Sequence, residues 1–469
     1  MTSATEGGRP APGEVERHFS EDPLTFGVVG MGYVGLPLAV EVGESPGLSA
    51  LGFDVNPRVV EGINAGESHV GDVDGERVRR LREEGRLEAT LDFSRLAECD
   101  VVSICVPTPL SKTRDPDISH ILAAGRAVAE ALRPGQLVIL ESTTYPGTTR
   151  DVLVPLLKER GMEPGRDVMV CFSPERVDPA NPVWTTRNTP KVIGGMTPVC
   201  VRAGVAAYSR FIDRMVPVSS TEAAEMTKLL ENTFRAVNIA LVNETAQIAD
   251  RLDVDIWEVI EAADTKPFGF MRFTPGPGLG GHCIPVDPHY LSWKMRTLDY
   301  RARFIELASE VNAEMPHFVV RKVQEALNEG RRSVNGSIVL IVGVAYKPDV
   351  SDIRESPAMA IIAELERLGA EVRYHDPMVP EFAEEGRSFR SVSLDREQLK
   401  VADAVVLVTD HSALDVDLIV THSRALVDSR NVVARRATEV PEMHGDRVGS
   451  WIIKAEDGTV QAKAGRENG

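Results

Sequence analysis

A glycine-rich segment, GPGLGGHCIPVDP, places one thiol, Cys283, four residues before a carboxylate, Asp287. Glycines at this density let a backbone adopt positive φ and approach a ligand closely. A thiolate is a strong nucleophile toward a carbonyl carbon, although a lone cysteine in apolar surroundings is more often an inert core residue. His282 lies beside the thiol but is expected to shape the loop, because adjacent side chains usually diverge.

The run GMGYVG at 30–35 follows a predicted buried strand, Phe26–Gly30, and opens a predicted helix. In this pattern Gly30 permits a tight turn, Gly32 lets the backbone reach a pyrophosphate, and Gly35 lets the helix pack closely on the sheet. Asp54 ends the next strand, where a carboxylate binds both ribose hydroxyls and repels a 2′-phosphate. Together these features predict NAD rather than NADP. A hydride acceptor and a thiol in one chain indicate oxidation through a covalent acyl intermediate.

Further polar side chains follow predicted strands, at the sheet edge where α/β proteins bind ligands. Thr108 is expected to line the cofactor, whereas Cys105, in the strand before it, is expected to be packed. Thr143 follows the strand Leu137–Leu140, and its hydroxyl either holds a water or substrate oxygen or caps the next helix. Glu175, in a proline-bounded loop, can act as a base on water, but a loop acid is usually only solvated.

Lys228 and Asn232 lie one turn apart on a long helix predicted from about Ser219 to Arg251. An ammonium and an amide on one helix face are the groups needed to stabilise an alkoxide or a tetrahedral oxyanion. A solvated lysine on a helix surface is the alternative interpretation.

A second α/β segment begins at the predicted strand Ser337–Gly343, and no glycine fingerprint follows this strand. We therefore do not expect it to bind a second dinucleotide in the same manner. Lys347 and Arg354 offer positive charge there for a nucleotide diphosphate instead.

The chain has 469 residues, 43% hydrophobic and 26% charged, which predicts a globular protein of two or three domains. Strands and helices alternate, so the predicted fold class is α/β, between tails at 1–22 and 456–469. A net charge of −18 argues against a nucleic-acid partner. Five cysteines without a CxxC pair disfavour disulfides or a zinc site. With no signal-peptide or membrane-span pattern, we expect a cytoplasmic protein without a metal or membrane partner.

Five motifs occur in the order seen in UDP-sugar dehydrogenases: GMGYVGLP, SPERVDP, KLLEN, GPGLGGHCIPVDPHYL and YKPDVSDIRESPA. Over roughly residues 24–440 the chain resembles the UDP-glucose/GDP-mannose dehydrogenase superfamily. The resemblance implies two Rossmann-like parallel-sheet domains, one for NAD at 23–216 and one for a UDP-sugar at 329–455. Between them, at 217–328, it implies a long central helix and a helical region that forms a homodimer or a higher oligomer.

The same resemblance implies a role for each matching residue. Cys283 would be the nucleophile, and Lys228 and Asn232 would be the oxyanion-stabilising pair. Asp287 would orient water or tune Lys228.

Two further residues would act on water: Thr143 would position it, and Glu175 would assist thioester hydrolysis. The residues that would bind NAD are Gly30, Gly32, Tyr33, Val34, Gly35, Asp54, Thr108 and Arg354. Those that would bind the UDP-sugar are Glu175, Arg176, Lys228, Asn232, Gly280 and Lys347.

Two departures resemble the branch of the family that acts on N-acetylated sugars. UDP-glucose and GDP-mannose enzymes usually carry Phe-Leu where this chain has Arg176-Val177, and a lysine where it has Val286. The expected reaction is the NAD-dependent, four-electron oxidation of the C6 hydroxyl of a UDP-N-acetylhexosamine to the uronate. UDP-N-acetylglucosamine is the first expectation, with UDP-N-acetylmannosamine and UDP-glucose as alternatives.

Two other classes of protein stay open on the sequence. A two-electron hydroxyacid dehydrogenase would share the glycine fingerprint but needs neither the thiol nor a second α/β domain. A non-catalytic nucleotide-sugar sensor would need none of the polar residues around the thiol.

Overall fold

The computed structural model of the chain describes residues 12–71, 73–111, 115–178, 181, 183–384, 386–437, 451–456 and 459–462. The chain divides into two compact units. Unit 1 comprises residues 1–231 and 289–301, and unit 2 comprises residues 232–288 and 302–469. The three-domain division with boundaries at 216 and 328 stays a prediction.

Unit 1 is built on an eight-stranded sheet of β1 (Leu24–Val29), β2 (Leu48–Phe53), β3 (Leu87–Thr90), β4 (Val101–Ile104), β5 (Leu137–Leu140), β6 (Met169–Phe172), β7 (Lys191–Gly195) and β8 (Met215–Val218). The strand order is β3-β2-β1-β4-β5-β6-β7-β8. The first six strands are parallel, in the order of a dinucleotide-binding sheet, and β7 runs antiparallel to β6. Strands β5 and β6 are continuous, fully buried apolar runs, as expected of parallel strands covered on both faces.

The helices up to the end of the long central one are α1 (Pro12–Glu21), α2 (Gly35–Glu44), α3 (Pro57–Asn64), α4 (Gly75–Glu83), α5 (Ser119–Ala131), α6 (Val154–Lys158), α7 (Pro198–Tyr208) and α8 (Thr221–Arg251). Side chains cap several of them: Asn56, Asp74 and Thr197 each accept a hydrogen bond from a backbone N–H of the first turn. The long helix predicted over 219–251 is confirmed as α8, which passes from unit 1 into unit 2.

Helix α1 corrects the expectation of a tail over residues 12–21. Its mostly polar sequence contains two apolar residues one turn apart, Val15 and Phe19. These two side chains pack in the same core as α7 residues such as Ala203 and Ala207. A single buried face of two residues is too short to give a periodic signal in the sequence. The rest of the predicted N-terminal tail, residues 1–11, lies outside the described residues.

Unit 2 contains a six-stranded sheet and a two-stranded one, formed by β9 (Ile338–Val342), β10 (Glu371–His375), β11 (Glu381–Glu384), β12 (Arg387–Arg390), β13 (Ala404–Leu407), β14 (Ala425–Asp428), β15 (Ile452–Glu456) and β16 (Thr459–Ala462). The large sheet has the order β10-β9-β13-β14-β15-β16. Its first four strands are parallel, whereas β15 and β16 add in antiparallel fashion. Strand β16 therefore corrects the predicted C-terminal tail, of which residues 463–469 lie outside the described part.

The helices that follow α8 are α9 (Ile256–Asp264), α10 (Asp287–Arg296), α11 (Arg303–Glu329), α12 (Pro357–Arg367), α13 (Arg396–Val401), α14 (Val416–His422) and α15 (Val432–Ala437). Parallel-dominated sheets with helical layers confirm the predicted α/β class with Rossmann-like domains. None of the helices in the described ranges has the length and apolar character that crossing a bilayer requires. Within those ranges no three His, Cys, Asp or Glu side chains gather as metal ligands.

Candidate active site

The glycine turn after β1 has the geometry of a pyrophosphate-binding turn. Gly30 has φ +90°, and a Cβ there would lie 2.8 Å from the backbone oxygen of Cys105. A Cβ on Gly35 would lie 1.9 Å from the Gly30 oxygen, so both positions require glycine. A Cβ on Gly32 would meet nothing within 4 Å, which leaves the approach to the start of α2 open for a phosphate. The residues of this turn therefore fit NAD.

Asp54 lies at the carboxyl end of β2, half-buried, and is held by two backbone donors. Its Oδ2 accepts from Met31 N–H at 2.9 Å and its Oδ1 from Asn56 N–H at 2.9 Å. Each carboxylate oxygen has a second lone pair, so both can still accept from ribose hydroxyls. This fixed acid is the second feature of unit 1 that fits the cofactor.

The other residues predicted to bind NAD in unit 1 flank the same sheet edge. Tyr33 is 56% exposed at the glycine turn, with Val34 partly buried beside it. Thr108 is buried after β4, and its backbone oxygen accepts from Tyr290 Oη at 2.8 Å. Burial raises the pKa of the Cys105 thiol well above its ordinary value, so this cysteine is packed, as predicted.

Thr143 contacts the lysine of the central helix. Lys228 Nζ donates to Thr143 Oγ1 at 2.5 Å. Ser142 instead donates to the backbone oxygen of Val106 at 2.8 Å. The contact with Lys228 places Thr143 among the predicted site residues rather than at a helix cap.

Glu175 is held as a partly buried carboxylate. Its Oε1 accepts from the N–H groups of Arg176 and Val177 at 2.9 and 2.8 Å, and its Oε2 accepts from Lys191 Nζ at 3.0 Å. Burial alone would raise the pKa of Glu175, but the Lys191 ammonium and the Val177 N–H outweigh it and hold this pKa below the ordinary value. The loop acid is therefore partnered, not merely solvated.

Lys191, at the first position of β7, is a residue that the sequence analysis missed. Its Nζ also donates to Glu141 Oε2 at 2.8 Å, and Glu141 in turn accepts from the Tyr208 hydroxyl. Burial lowers the pKa of Lys191, but the carboxylates of Glu141 and Glu175 reverse the shift, so the ammonium persists. A lysine before an apolar run looks like a solvated strand end, and only the tertiary structure reveals its burial.

The guanidinium of Arg176 is engaged within the protein. It forms a two-pronged ion pair with Glu231 of α8, at 2.6 and 3.1 Å, and donates to the backbone oxygen of Pro190 at 2.6 Å. These contacts tie the Glu175 loop to the central helix.

In unit 2 the glycines before the thiol pack on Tyr346. Gly281 has φ +84°, and a Cβ there would lie 2.8 Å from the Tyr346 ring, while one on Gly280 would lie 2.7 Å from the Tyr346 Cβ. Gly281 N–H donates to the backbone oxygen of Arg354 at 3.0 Å. The positive φ predicted from the glycine content is confirmed at Gly281, whereas the group that these glycines approach closely is the Tyr346 side chain of the protein itself; approach to a ligand stays a prediction.

Cys283 is the exposed cysteine of the chain, and the four other cysteines are buried. Its backbone oxygen accepts from Asp287 N–H at 2.8 Å, which joins the thiol-bearing turn directly to the start of α10. Asp287 is buried, and its Oδ2 accepts from Asn232 Nδ2 at 2.6 Å. Asn232 and Asp287 are thus brought together in unit 2, as Thr143 and Lys228 are in unit 1.

The predicted cations of unit 2 lie on the loop after β9. Lys347 is half-buried there. Arg354 forms a forked ion pair with Asp352, with Nη2 to Oδ2 at 2.6 Å. Its contact with NAD stays a prediction.

Arg430, after β14, is a further cation that the sequence analysis missed. It is partly buried, it donates to the backbone oxygen of Val408 at 2.8 Å, and a Cβ on Gly276 would lie 2.6 Å from its Nη1. Burial lowers the pKa of Arg430 to about 10. The signal in the sequence was an arginine just beyond the carboxyl end of a strand in the second α/β segment.

Comparison with known proteins accounts for both units. Models of the UDP-glucose/GDP-mannose dehydrogenase family match in chain order: the NAD binding domain at 24–212, the central domain at 222–314 and the UDP binding domain at 340–435.

Individual relatives agree with these matches. A UDP-N-acetyl-D-mannosamine dehydrogenase of Pyrococcus horikoshii is 35% identical over 87% of this chain and 96% of its own. A UDP-N-acetyl-D-glucosamine 6-dehydrogenase of Pseudomonas aeruginosa is 36% identical over 76% of this chain and 83% of its own. The solved structure of a UDP-N-acetyl-mannosamine dehydrogenase from Pyrococcus horikoshii matches with a TM-score of 0.79 at 35% identity, covering 87% of this chain and 96% of that one.

An NAD-binding turn, a nucleotide-sugar domain and an exposed thiol on a glycine loop occur here with the family's full set of domains. The chain belongs to the UDP-glucose/GDP-mannose dehydrogenase family, whose members share an NAD binding domain and a UDP binding domain.

Proposed function

We propose that the protein oxidises the C6 hydroxyl of a UDP-N-acetylhexosamine to the uronate. The preferred substrate in this proposal is UDP-N-acetylglucosamine. The glycine turn after β1 and Asp54 would hold NAD⁺, and two NAD⁺ bound in turn would supply the hydride acceptors for the four-electron oxidation of C6. Cys283 bonds to C6 at the aldehyde level as a thiohemiacetal and at the acyl level as a thioester. Covalent capture keeps the reactive aldehyde from escaping.

The observation that carries this proposal is the contrast among the five cysteines. Cys283 is exposed on a glycine loop, whereas the other four are buried. A buried thiol cannot reach a sugar carbon, but a thiol exposed on a loop can.

The hydrogen-bonded pairs supply the polar groups that the reaction needs. Lys228, in contact with Thr143, would stabilise the negative charge that develops on the C6 oxygen. Asn232, held by Asp287, would donate to the same oxygen through its amide. The proposed roles agree with the ability of ammonium and amide groups to donate to an oxyanion.

Glu175 is proposed to accept a proton from the water that hydrolyses the thioester. The water oxygen bonds to the acyl carbon, the carbon–sulfur bond breaks, and the Cys283 thiolate leaves. A carboxylate whose pKa lies below its ordinary value is in the ionised form that this step requires at neutral pH.

The proposal of an N-acetylated sugar is supported by the residues Arg176-Val177 and Val286 and by the names of similar proteins. Proteins named for N-acetylmannosamine and N-acetylglucosamine substrates are 35% and 36% identical to this chain. Because Arg176 is engaged by Glu231 and Pro190, we propose that it affects sugar preference by shaping the Glu175 loop. Arg430 and Lys347 are proposed to neutralise the diphosphate of the UDP-sugar.

We further propose a homodimer formed through α8. Phe234, Leu241 and Ile248 are 45%, 58% and 50% exposed and fall on one side of this helix at spacings of seven residues. A row of exposed apolar side chains of this kind favours burial against a second copy. Five cysteines without a disulfide agree with a cytoplasmic, reducing location.

The test is a panel of UDP-N-acetylglucosamine, UDP-N-acetylmannosamine and UDP-glucose at equal concentration, with excess NAD. We expect the first to give the highest kcat/KM and to yield two NADH per uronate. Cys283→Ser should bind NAD as the wild type does and form no uronate.

One NADH per sugar would indicate a two-electron dehydrogenase and contradict the proposal. NADH formation from none of the three sugars would favour a non-catalytic sensor. Preference for another of the three would change the sugar but keep the reaction.

A further inference from the structure

The Glu175 loop contacts a buried charge network of Lys191 and Glu141, and the proposed reaction assigns no role to these two residues. Lys191 lies between two carboxylates, with its Nζ 2.8 Å from Glu141 Oε2 and 3.0 Å from Glu175 Oε2. The side chains of Lys191 and Glu141 are 5% and 0% exposed, and that of Glu175 is 14% exposed. The slight exposure of Glu175 makes it the member of this network that solvent can reach.

Glu141, the network member opposite Glu175, has neutral hydrogen-bond partners. Glu141 Oε1 accepts from the Tyr208 hydroxyl, which lies 2.8 Å from Ser103 Oγ. Glu141 is thereby held by partners of its own, and Lys191 connects it to Glu175. A buried ion pair is weak evidence for stability, because desolvation of the charges offsets their attraction. The contacts of this pair instead favour a role in fixing one geometry of the Glu175 carboxylate.

The two carboxylate oxygens of Glu175 have different partners, one in its own loop and one in Lys191. Its Oε1 accepts from two backbone N–H groups of its own loop, which fixes the side-chain rotamer. Its Oε2 accepts from Lys191 and has a second lone pair, with which it can accept from a water molecule. Lys191 thus contacts the very oxygen that would take the proton.

We propose that Lys191 is a positioning residue for the hydrolytic step: by its buried contact it holds the Glu175 carboxylate in the place and charge state from which it deprotonates the attacking water. The proposal rests on the proposed function. In the step, one proton passes from water to Glu175, the water oxygen bonds to the acyl carbon, and the carbon–sulfur bond to Cys283 breaks. No redox change occurs, so the hydride transfers before it should not depend on Lys191.

The test is Lys191→Met, followed by NADH release in rapid mixing and in the steady state. We expect wild-type-like NADH formation in the first turnover, up to two per active site, and then steady-state kcat reduced on the order of 100-fold, the scale of general-base catalysis. Because kcat/KM reports the steps up to the first NADH release, it should stay unchanged while KM falls with kcat. Hydroxylamine, which cleaves thioesters, should restore turnover as the hydroxamate.

Two variants serve as controls. Lys158→Met removes a lysine of the same unit that pairs with Glu163 at 3.0 Å on the surface, and it should behave as the wild type. Lys191→Arg keeps the cation and should recover more of kcat than methionine does. If Lys191→Met does not fold, the double variant Lys191→Met with Glu141→Gln removes one carboxylate along with the cation and should show the same slow release.

The outcomes separate this inference from the function on which it rests. If the wild type makes two NADH per uronate while Lys191→Met, or the double variant, retains wild-type kcat, the role of Lys191 is overturned. The same holds if kcat and the first-turnover rate fall together, which indicates a general structural role. Failure of the wild type to form uronate would instead contradict the proposed function.

Discussion

Two glutamates of unit 1, Glu175 partly buried and Glu225 buried, show how hydrogen-bond partners decide the charge of a carboxyl group. Glu175 has a lysine within hydrogen-bond distance, and its pKa is held below the ordinary value although burial opposes this. Glu225, on α8, accepts from backbone and hydroxyl donors: Gly147 N–H at 2.6 Å, Thr149 N–H at 2.9 Å and Thr149 Oγ1 at 2.7 Å. Burial therefore raises the pKa of Glu225 to about 7.

This raised pKa predicts that Glu225 makes the stability of the folded protein depend on pH. Between its ordinary pKa of 4.5 and its folded pKa of about 7, the folded protein keeps a proton that the unfolded chain has lost. The free energy of unfolding must therefore fall as pH rises through this window. From pH 5 to pH 8, we expect the stability of Glu225→Gln relative to the wild type to rise by about 3 kcal/mol, measured by urea unfolding.

A matched control is Glu261→Gln on the exposed side of α9, which should follow the wild type at both pH values. Parallel pH profiles for Glu225→Gln and the wild type would show that Glu225 is ionised throughout and that its three donors outweigh burial.

At the level of single residues, sequence motifs suggested candidate catalytic side chains but not the buried residues that hold those side chains in place. Cys283, Lys228, Asn232 and Asp287 were predicted as site residues because their motifs together resemble a known family, although each residue alone also fits a structural role. Lys191 was not found, because burial of a strand lysine depends on neighbours distant in the sequence, such as Glu141.

Among the elements, the turn after the first strand of each sheet shows why only one of them fits a dinucleotide. In unit 2, Asp376 follows β10 as Asp54 follows β2, but it is 2% exposed and accepts from the N–H groups of Val344 and Ala345 at 2.7 and 3.0 Å. His411 Nε2 lies 3.0 Å from the same oxygen. The acid of unit 2 is thus used internally, which agrees with the missing glycine fingerprint.

The exposed apolar side chains of α8 lead to a prediction about assembly. A charge in the exposed apolar stripe, as in Leu241→Glu, should disfavour burial against a second copy, because an unpaired charge is costly to desolvate. We expect light scattering to give half the wild-type mass for this variant. Arg235→Glu, six residues earlier on the same helix and about 120° around its axis, should leave the mass unchanged.

A monomeric wild type, or a Leu241→Glu variant of wild-type mass, would exclude α8 as the dimer surface.

The elements themselves were largely predictable from hydrophobic runs and turn signals, as α8, β1 and β5 illustrate. Helix α1 was not, since its buried face consists of Val15 and Phe19 alone in a polar segment. Strand β16 was missed for a related reason: its pairing with β15 is a tertiary contact that composition does not report.

For the whole molecule, the order of motifs along the chain carried more information than any one of them. A glycine fingerprint alone fits many dehydrogenases, and a lone cysteine fits any core. Together with the second α/β segment they indicated the family, and the three family domains confirm it. The identity of the sugar was less predictable, because it depends on the detailed shape of loops such as the one that Arg176 anchors.

The most direct test of the account is the mass of the enzyme caught during turnover. Glu175→Gln should slow thioester hydrolysis, so protein quenched with UDP-N-acetylglucosamine and NAD should gain the mass of the UDP-hexosaminuronyl group on the peptide that contains Cys283. The added Cys283→Ser substitution should abolish this adduct. Uronate formation with no adduct in Glu175→Gln, or an adduct on another residue, would contradict covalent catalysis by Cys283.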